Sequence, residues 1–534
     1  ETIRPILKNL KLQGKLNNTE EIKNSQTSGE IVIIPDDKIQ LSPAQSQDTL
    51  KEVLLLPRQR SADFSEFSKI KTQFNHHLGV LIFSMFLSKV EAAVGQKGWL
   101  VKQWLACLLL GAVNIEQSKL LDFDDLDWMF RKTLRCLHPQ RTELVSLAVT
   151  NTADKLLSLN AEIVNCKDYD DFYYDPHTKH YTGQLKILKG WCGSKHYADK
   201  VHHMDFIHTN DGQPVYISYA DNYLDLRERF FKNIKSFRKI TPSSGNKTMT
   251  FIVDRGIYGL KPFESIIDDP ELHLVTWEKD YKPIAWNPKD IVGSFILERF
   301  RNDNEDIKKY HFEYQEEPWK KDPRMRLIRV QATNPKNKTI QLGILTDDKN
   351  RIAPEIIRLM FKRWVQENDF KYLEKHFGIN QITSYEAIPY KKLQNQIEDK
   401  QIKSGAYLAI QKERTDLRLE LKNLLFQENQ HPNKNPERLI KIKNLSEQDK
   451  SLSEKLDGTQ KEISKLDHLI EENYYRLDTS CKQVMDVLKI IARNAFYQTL
   501  KPFKKLYNNF RDDHAIFRNL TRSHGFVVET QNLI

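Results

Sequence analysis

The feature that most constrains the fold is a change of hydrophobic periodicity near residue 168. From about residue 64 to 165, apolar residues recur at the three- and four-residue spacings of amphipathic helices. After residue 168, short β-rich runs alternate with helical segments. The runs that predict strands are Asp171–Asp175, Gln184–Lys189, Pro214–Tyr219, Met249–Asp254 and Leu272–Trp277, and those that predict helices are Leu224–Lys239 and Leu260–Ile267. This order predicts a mixed α/β layer.

Composition and pattern divide the chain into five predicted regions. They are a polar arm (1–62), an N-terminal helical domain (63–166), an α/β core (167–386) with a β-rich insertion at about 280–346, a charged helical hairpin (387–480) and a basic helical segment (481–534). In the hairpin, leucine and isoleucine residues from Leu445 to Leu477 step by sevens, fours and threes. That spacing predicts a coiled-coil seam.

The charge balance allows a polyanionic partner without requiring one. The 534 residues include 82 Lys and Arg and 72 Asp and Glu, which gives a formal net charge of +10. The longest strongly apolar run, residues 104–113, is about half of what spans a bilayer, so we expect no membrane segment. The five cysteines are widely spread and form no C-x-x-C pair, and therefore predict neither a disulfide framework nor a zinc ribbon. No apolar signal-peptide region opens the sequence, and we expect an intracellular protein.

Two aspartates stand where predicted strands meet solvent. Asp254 ends the buried-strand run Met249–Asp254 and is followed at once by Arg255 and Gly256. Asp175 ends the first predicted strand of the same layer. In open α/β sheets, binding sites form at the carboxyl ends of strands, where a carboxylate is well placed to bind a metal. The alternative for both residues is ordinary turn chemistry next to Gly or Pro.

A third carboxylate, Glu367, lies in a long predicted helix that runs from Pro354 to Phe377. On one continuous helix Glu367 falls within the apolar stripe that contains Ile356 and Met360, away from the solvated face. A carboxylate turned toward the core needs a partner or a metal. The alternative is a structural ion pair with Lys371, one turn further on.

Three carboxylates from two strands and a helix favour one chemistry. Mg²⁺ prefers oxygen ligands, and Mn²⁺ can substitute for it. Two such ions roughly 4 Å apart activate the attacking oxygen and stabilise the leaving oxygen of a phosphodiester. Catalysis of this kind needs no Ser or Cys nucleophile.

Three motifs resemble those of the DDE-type transposases of bacterial insertion sequences. The motifs are the segments 174–183 (YDPHTKHYTG), 251–256 (FIVDRG) and 363–372 (RWVQENDFKY), and the resemblance covers about residues 64 to 386. It implies a ribonuclease H-like core with a β-rich insertion, and a metal-binding catalytic triad of Asp175, Asp254 and Glu367. It also implies hydrolysis of a phosphodiester at the end of a DNA element, followed by strand transfer into target DNA.

The partner expected from the resemblance is double-stranded DNA, at element ends and at the target, bound by a homodimer in the bacterial cytoplasm at the nucleoid. Basic residues are the natural contacts for its phosphates. The predicted phosphate and DNA contacts are Arg255, Arg363, Lys371, Arg229, Lys232, Lys235, Arg238 and Lys239. The alternative for the basic segment at 224–239 is a solvated helix face.

Two other functions remain open on the sequence. A transposase-derived DNA-binding protein without catalysis would be expected to have lost one carboxylate, and all three are present here. A structure-specific nuclease of the same fold fits the carboxylate spacing equally well. The N-terminal helical region and the terminal hairpin favour a protein that binds DNA ends and assembles on them.

Overall fold

The structure, a computed structural model, describes residues 71–192, 197–241, 248–301, 306–363, 365–381, 383, 386–430, 435–507 and 512–529. The predicted polar arm at 1–62 lies outside these residues. The chain forms two compact units. The first contains the described residues up to 180, from 190 to 384 and from 479 onward, and the second consists of 181–189 and 385–478.

Sixteen strands occur in the described ranges. They are β1 (Lys71–Asn75), β2 (Asp171–His180), β3 (Lys189–Cys192), β4 (Tyr197–Thr209), β5 (Pro214–Ala220), β6 (Met249–Val253), β7 (Leu272–Trp277), β8 (Gly293–Arg301), β9 (Asp306–Pro318), β10 (Arg326–Thr333), β11 (Thr339–Thr346), β12 (Ala387–Pro389), β13 (Gln401–Lys403), β14 (Glu462–Ser464), β15 (Tyr475–Leu477) and β16 (Gly525–Glu529).

Fourteen α-helices occur in the same ranges. They are α1 (Ser84–Val94), α2 (Gly98–Leu110), α3 (Phe123–Phe130), α4 (Leu137–Ala148), α5 (Thr152–Val164), α6 (Leu226–Ile240), α7 (Leu260–Ile267), α8 (Ala353–Lys362), α9 (Val365–Phe377), α10 (Gly405–Gln430), α11 (Pro436–Asp457), α12 (Lys465–Glu471), α13 (Ser480–Leu506) and α14 (Asp513–Thr521). No described helix is both long and apolar enough to cross a membrane.

Ten strands form one mixed sheet in the first unit. Its order is β3-β4-β2-β6-β7-β11-β10-β9-β8, and β5 pairs with β4 away from this path. The central strands β2, β6 and β7 are parallel, and β8 to β11 extend the sheet as antiparallel neighbours. The β-rich stretch predicted at about 280–346 therefore continues the same sheet.

The longest part of this sheet that the sequence did not predict is β4. We predicted a strand at Gln184–Lys189, whereas the strand begins only at Lys189 and β4 occupies Tyr197–Thr209. The prediction was wrong because the first half of β4 is polar and carries His, Lys and Asp. In that half only Val201 is buried, whereas the last six residues are all buried, on both faces of the sheet.

Helices cover both faces of the sheet. On one face, Phe172 and Tyr174 of β2 pack their rings edge-on against Phe237 and Phe230 of α6. The large core on this side also includes buried side chains of α1, α2, α4, α5 and α13. On the opposite face, Tyr173 packs with residues of α8, and its hydroxyl donates to the carbonyl of Leu359. The alternation predicted for β2 and the mixed α/β class, a mixed sheet flanked by helices, are confirmed.

The helix predicted from Pro354 to Phe377 is two helices. The first ends at Lys362 and the second begins at Val365. Around the break the backbone hydrogen bonds span three residues, from the Arg363 amide to the Met360 carbonyl and from the Gln366 amide to the Arg363 carbonyl. No Gly or Pro marks this position. The break therefore could not be predicted from local sequence, and it changes the phase of every residue that follows it.

The second unit is built on an antiparallel pair of helices, α10 and α11. The two helices are joined by the ion pairs Arg414–Asp449 and Arg438–Glu428, and Leu445 of α11 is buried. The seam predicted as far as Leu477 is wrong beyond α11, which ends at Asp457. The residues beyond it lie in β14, α12 and β15, because a turn at 458–461 interrupts the helix.

Candidate functional site

The parallel pairing of β2 and β6 brings two predicted site residues side by side at the point where that pairing ends, which we call the strand edge. Tyr174 lies in register with Val253, and each is followed by an aspartate, Asp175 and Asp254. The side chain of Asp175 is 22% exposed and that of Asp254 is 51% exposed. Asp254 directly follows the last residue of β6, as expected of a carboxylate at a strand end. The prediction that Asp175 ends its strand is wrong, because β2 continues to His180 beside β4. Asp175 lies instead where the pairing of β2 with β6 ends.

A single guanidinium spans these two carboxylates. Arg363 lies at the break between α8 and α9, and its Nη1 is 3.4 Å from Asp175 Oδ1. Its Nη2 is 3.4 Å from Asp254 Oδ2. Two carboxylates at one edge repel each other, and a planar cation with two donors offsets that repulsion. The helix break therefore has a direct consequence for the site, because it sets Arg363 between the aspartates.

Glu367 lies four residues beyond Arg363, in the first turn of α9. Its position in an apolar stripe was predicted on one continuous helix, and that prediction is wrong, because Glu367 is exposed. The buried positions of this helix are Gln366, Asp369, Phe370, Leu373 and Phe377. Glu367 still acts electrostatically on Asp175. Lys371 is also exposed.

The electrostatics of the site centre on Asp175. Burial raises the pKa of Asp175 from 3.8 to about 6, while Arg363 and His208 pull it down. The negative charges of Asp254 and Glu367 also contribute to the rise, and a pKa of about 6 is the net of all these effects. A carboxyl group that is buried beside two other carboxylates holds its charge at a cost, which a bound cation would offset.

A buried network behind Asp175 was not predicted. His208 of β4 places Nε2 3.1 Å from Asp369 Oδ2, and the Arg493 guanidinium of α13 donates to the other oxygen of Asp369 at 2.6 Å. The side chains of His208 and Asp369 are almost fully buried. Sequence reasoning missed this network because β4 was not predicted, although Asp369 stands only two residues after Glu367.

The predicted DNA contacts of α6 separate into two groups. Lys232, Lys235 and Lys239 are exposed. Arg229 is not available to a phosphate, because it is buried and its Nε lies 3.6 Å from Asp205 Oδ2. Arg238 is ion-paired with Asp269 at 2.7 Å.

Arg255 is exposed beside the site. Its backbone amide donates to Asp254 Oδ1 at 2.8 Å, which orients that carboxylate. Arg255 thus directly follows, in sequence, one of the two aspartates that Arg363 bridges. A guanidinium is well suited to bind a phosphate.

The donor chemistry of the site fits a hard divalent cation. Carboxylate oxygens at a partly exposed edge, one of them with a raised pKa, are the ligands that Mg²⁺ prefers. Asp175, Asp254 and Glu367 do not all bring ligand atoms within 4.8 Å of one another. In the part of the chain that the structure describes, only His76, Asp122 and Asp125 do so. A cation would therefore take over the neutralising role of Arg363 between the aspartates.

Comparisons with known proteins give only faint likenesses, all among solved structures. No family model matches the chain. No curated protein matches it. Among solved structures, the chain is similar to a piggyBac transposase in a cryo-EM structure of its synaptic complex with hairpin DNA. The TM-score is 0.27 at 9% sequence identity, over 57% of this chain and 69% of that one. A likeness of this size carries no argument about function.

Proposed function

We propose that this protein is a metal-dependent DNA transposase with a ribonuclease H-like core. The observation that supports the proposal is the pair Asp175 and Asp254, brought to one edge by neighbouring parallel strands and bridged by Arg363. Glu367 lies four residues after that arginine, in the first turn of α9. Two carboxylates on neighbouring parallel strands, with a helical glutamate, suit phosphoryl transfer, which depends on positioning and charge neutralisation.

In this proposal Asp175, Asp254 and Glu367 hold Mg²⁺, as two ions, with Mn²⁺ as a substitute. The bound metal supplies Lewis-acid activation of the attacking oxygen and stabilises the leaving oxygen. Asp175 stands within β2, and Asp254 directly follows β6. Glu367 is exposed in the first turn of a helix, so its side chain is free to turn toward the strand edge.

The basic residues around the carboxylates would orient the DNA backbone. Were a metal to neutralise the aspartates, the guanidinium of Arg363 would be available to a phosphate, for which its planar pair of donors is suited. Arg255 and Lys371 are exposed nearby along the chain. The exposed lysines 232, 235 and 239 of α6 would add sequence-independent contacts.

The proposed reaction has two stages. Water would hydrolyse one phosphodiester at the element end, and the freed 3′-hydroxyl would then attack a phosphodiester of target DNA in the same site. Two copies of the chain would act together on the paired ends. The strand-transfer stage separates a transposase from a nuclease, which would stop after the first.

The test is a cleavage and joining assay on labelled duplex DNA with Mg²⁺. Wild-type protein should cut the DNA and join its 3′ ends to a target, and Glu367→Gln should lower the rate at least about hundredfold. Glu374→Gln is the matched control, since it is exposed on the same helix two turns away. Cleavage without joined products would identify a nuclease. DNA binding with no metal-dependent cleavage by the wild type would overturn the enzymatic proposal.

A further inference from the structure

A second cluster of ligand-type side chains lies far along the chain from the carboxylate edge. His76 follows β1, and Asp122 and Asp125 stand at the start of α3. His76 Nδ1 is 2.7 Å from Asp125 Oδ2 and 3.8 Å from Asp122 Oδ2. The three donor atoms lie within 4.8 Å of one another. Two segments that are distant in sequence thus present one nitrogen and two oxygens to a common point.

Each of the three groups is held in place by other contacts. The backbone amide of His76 donates to Asp125 Oδ2 at 2.6 Å. Asp122 caps α3, and its Oδ1 accepts from the amides of Asp124 and Asp125, which leaves Oδ2 on the side of His76. Phe74 packs edge-on against the His76 ring, with ring centroids 4.8 Å apart. The cluster is therefore set before any ligand arrives, which lowers the cost of binding one.

The charge of the cluster is poorly balanced. The side chain of Asp125 is only 7% exposed, and His76 is its ion-pair partner in the described part of the chain, where neither aspartate pairs with Lys or Arg. The neighbouring His77 adds no positive charge, since burial lowers its pKa and its Nε2 accepts from the Asp122 amide. A buried carboxylate beside a second one, faced by a single imidazole, is a setting in which a divalent cation is stabilising.

We propose that His76, Asp122 and Asp125 bind a first-row divalent cation of the Zn²⁺ type. Zn²⁺ takes imidazole nitrogen and carboxylate oxygen at about 2.0–2.2 Å, which places tetrahedral donors roughly 3.4 Å apart. The observed separations of 2.7 and 3.8 Å bracket that value. Zn²⁺ replaces the proton that otherwise lies between His76 and Asp125, and the exposed side of the cluster leaves its fourth position to water. The imidazole ligand disfavours Mg²⁺ and Ca²⁺, which prefer oxygen donors.

This site is separate from the proposed function in residues and in metal. It ties the segment after β1 to the start of α3, so its occupancy stabilises the fold. The site involves neither Asp175 nor Asp254. Zn²⁺ binding at His76 can therefore succeed or fail independently of Mg²⁺-dependent chemistry at the strand edge.

The experiment is a Zn²⁺ titration of the chelator-treated full chain by calorimetry, with Co²⁺ as a spectroscopic probe. Wild-type protein should bind one Zn²⁺. The variants His76→Ala and Asp125→Asn should bind Zn²⁺ at least about tenfold more weakly than the wild type. Asp122→Asn serves as a second ligand variant that retains the helix cap, since Asn caps as well as Asp. His138→Ala, at an exposed histidine of α4, is the matched control and should bind like the wild type.

The Co²⁺ complex of the wild type should show the visible bands of a four-coordinate site, and these should be absent from His76→Ala. Equal Zn²⁺ affinity in the wild type, His76→Ala and Asp125→Asn would overturn the proposal. Loss of the Zn²⁺ in Asp254→Ala, with His76→Ala unaffected, would also overturn it and would place the ion at the strand edge. If Asp254→Ala loses DNA cleavage but keeps the Zn²⁺, both proposals stand.

Discussion

Replacing Asp175 with Asn should stabilise the metal-free protein at neutral pH. Burial raises the pKa of Asp175 from 3.8 to about 6 in the folded state. This difference corresponds to about 3 kcal/mol against the charged form, with the attraction of Arg363 already included. Asn has nearly the same shape and never ionises. At pH 7 the free energy of unfolding of Asp175→Asn should therefore exceed that of the wild type by up to about 3 kcal/mol.

The pH dependence has a definite sign. Below pH 4 Asp175 is protonated in both the folded and unfolded states, and the two proteins should be equally stable. Between pH 4 and 6 the folded wild type binds the extra proton, so its stability falls as pH rises. Above pH 6 the difference should be constant. A wild type that gains stability relative to Asp175→Asn across this range would refute the reasoning.

The assay is urea unfolding at several pH values in the presence of a chelator. Asp171→Asn is the matched control, because Asp171 lies on the same face of β2 as Asp175. The Asp171 carboxylate forms an ion pair with Arg351 at 2.6 Å, and the side chains of Asp171 and Arg351 are mostly buried. Asp171→Asn should be less stable than the wild type at pH 7, in contrast to Asp175→Asn. Mg²⁺ should then stabilise the wild type and leave Asp175→Asn nearly unchanged, since a ligand stabilises only the state that binds it.

Three further predictions concern the core, the DNA surface and the hairpin. Asp486→Ala should lower the free energy of unfolding by about 3–5 kcal/mol in chemical denaturation. The substitution leaves the buried ammonium groups of Lys482 and Lys489, which lie 2.6 and 2.8 Å from the Asp486 carboxylate, without that ion-pair partner. Replacing Lys232, Lys235 and Lys239 of α6 with Ala should weaken DNA binding and reduce the slope of log affinity against log salt by about 2 to 3. Leu452→Ala should destabilise the second unit by about 2–5 kcal/mol, seen as an earlier thermal transition with the first unit retained.

Sequence reasoning located the two aspartates because their signal is local. A buried apolar run that ends in a carboxylate marks the end of β6 at Asp254, and the parallel pairing of β2 with β6 brings Asp175 beside it. The continuation of β2 to His180 was not predicted, because its partner there is β4, which was not predicted either. The orientation of Glu367 could not be predicted, because it depends on a helix break that has no Gly or Pro. The role of Arg363 between the aspartates follows from the same break.

Other features depend on partners that are distant in sequence. Arg229 looks like any other basic residue of a charged helix, and its burial follows from Asp205 on a strand that was not predicted. That strand was missed because its first half is mostly polar and its continuous buried run is confined to the last six residues. The leucine seam was extended too far beyond α11 because spacing alone does not show that a short turn has replaced a helix.

The most direct test is to find where a divalent cation binds. Crystals grown or soaked with Mn²⁺ would give an anomalous signal at the ion. We predict a peak between the carboxylates of Asp175 and Asp254, with Glu367 turned toward it and Arg363 displaced from at least one aspartate. A structure in Mn²⁺ with no peak at this edge, and with Arg363 still bridging both carboxylates, would contradict the proposal that they form a metal-dependent catalytic site.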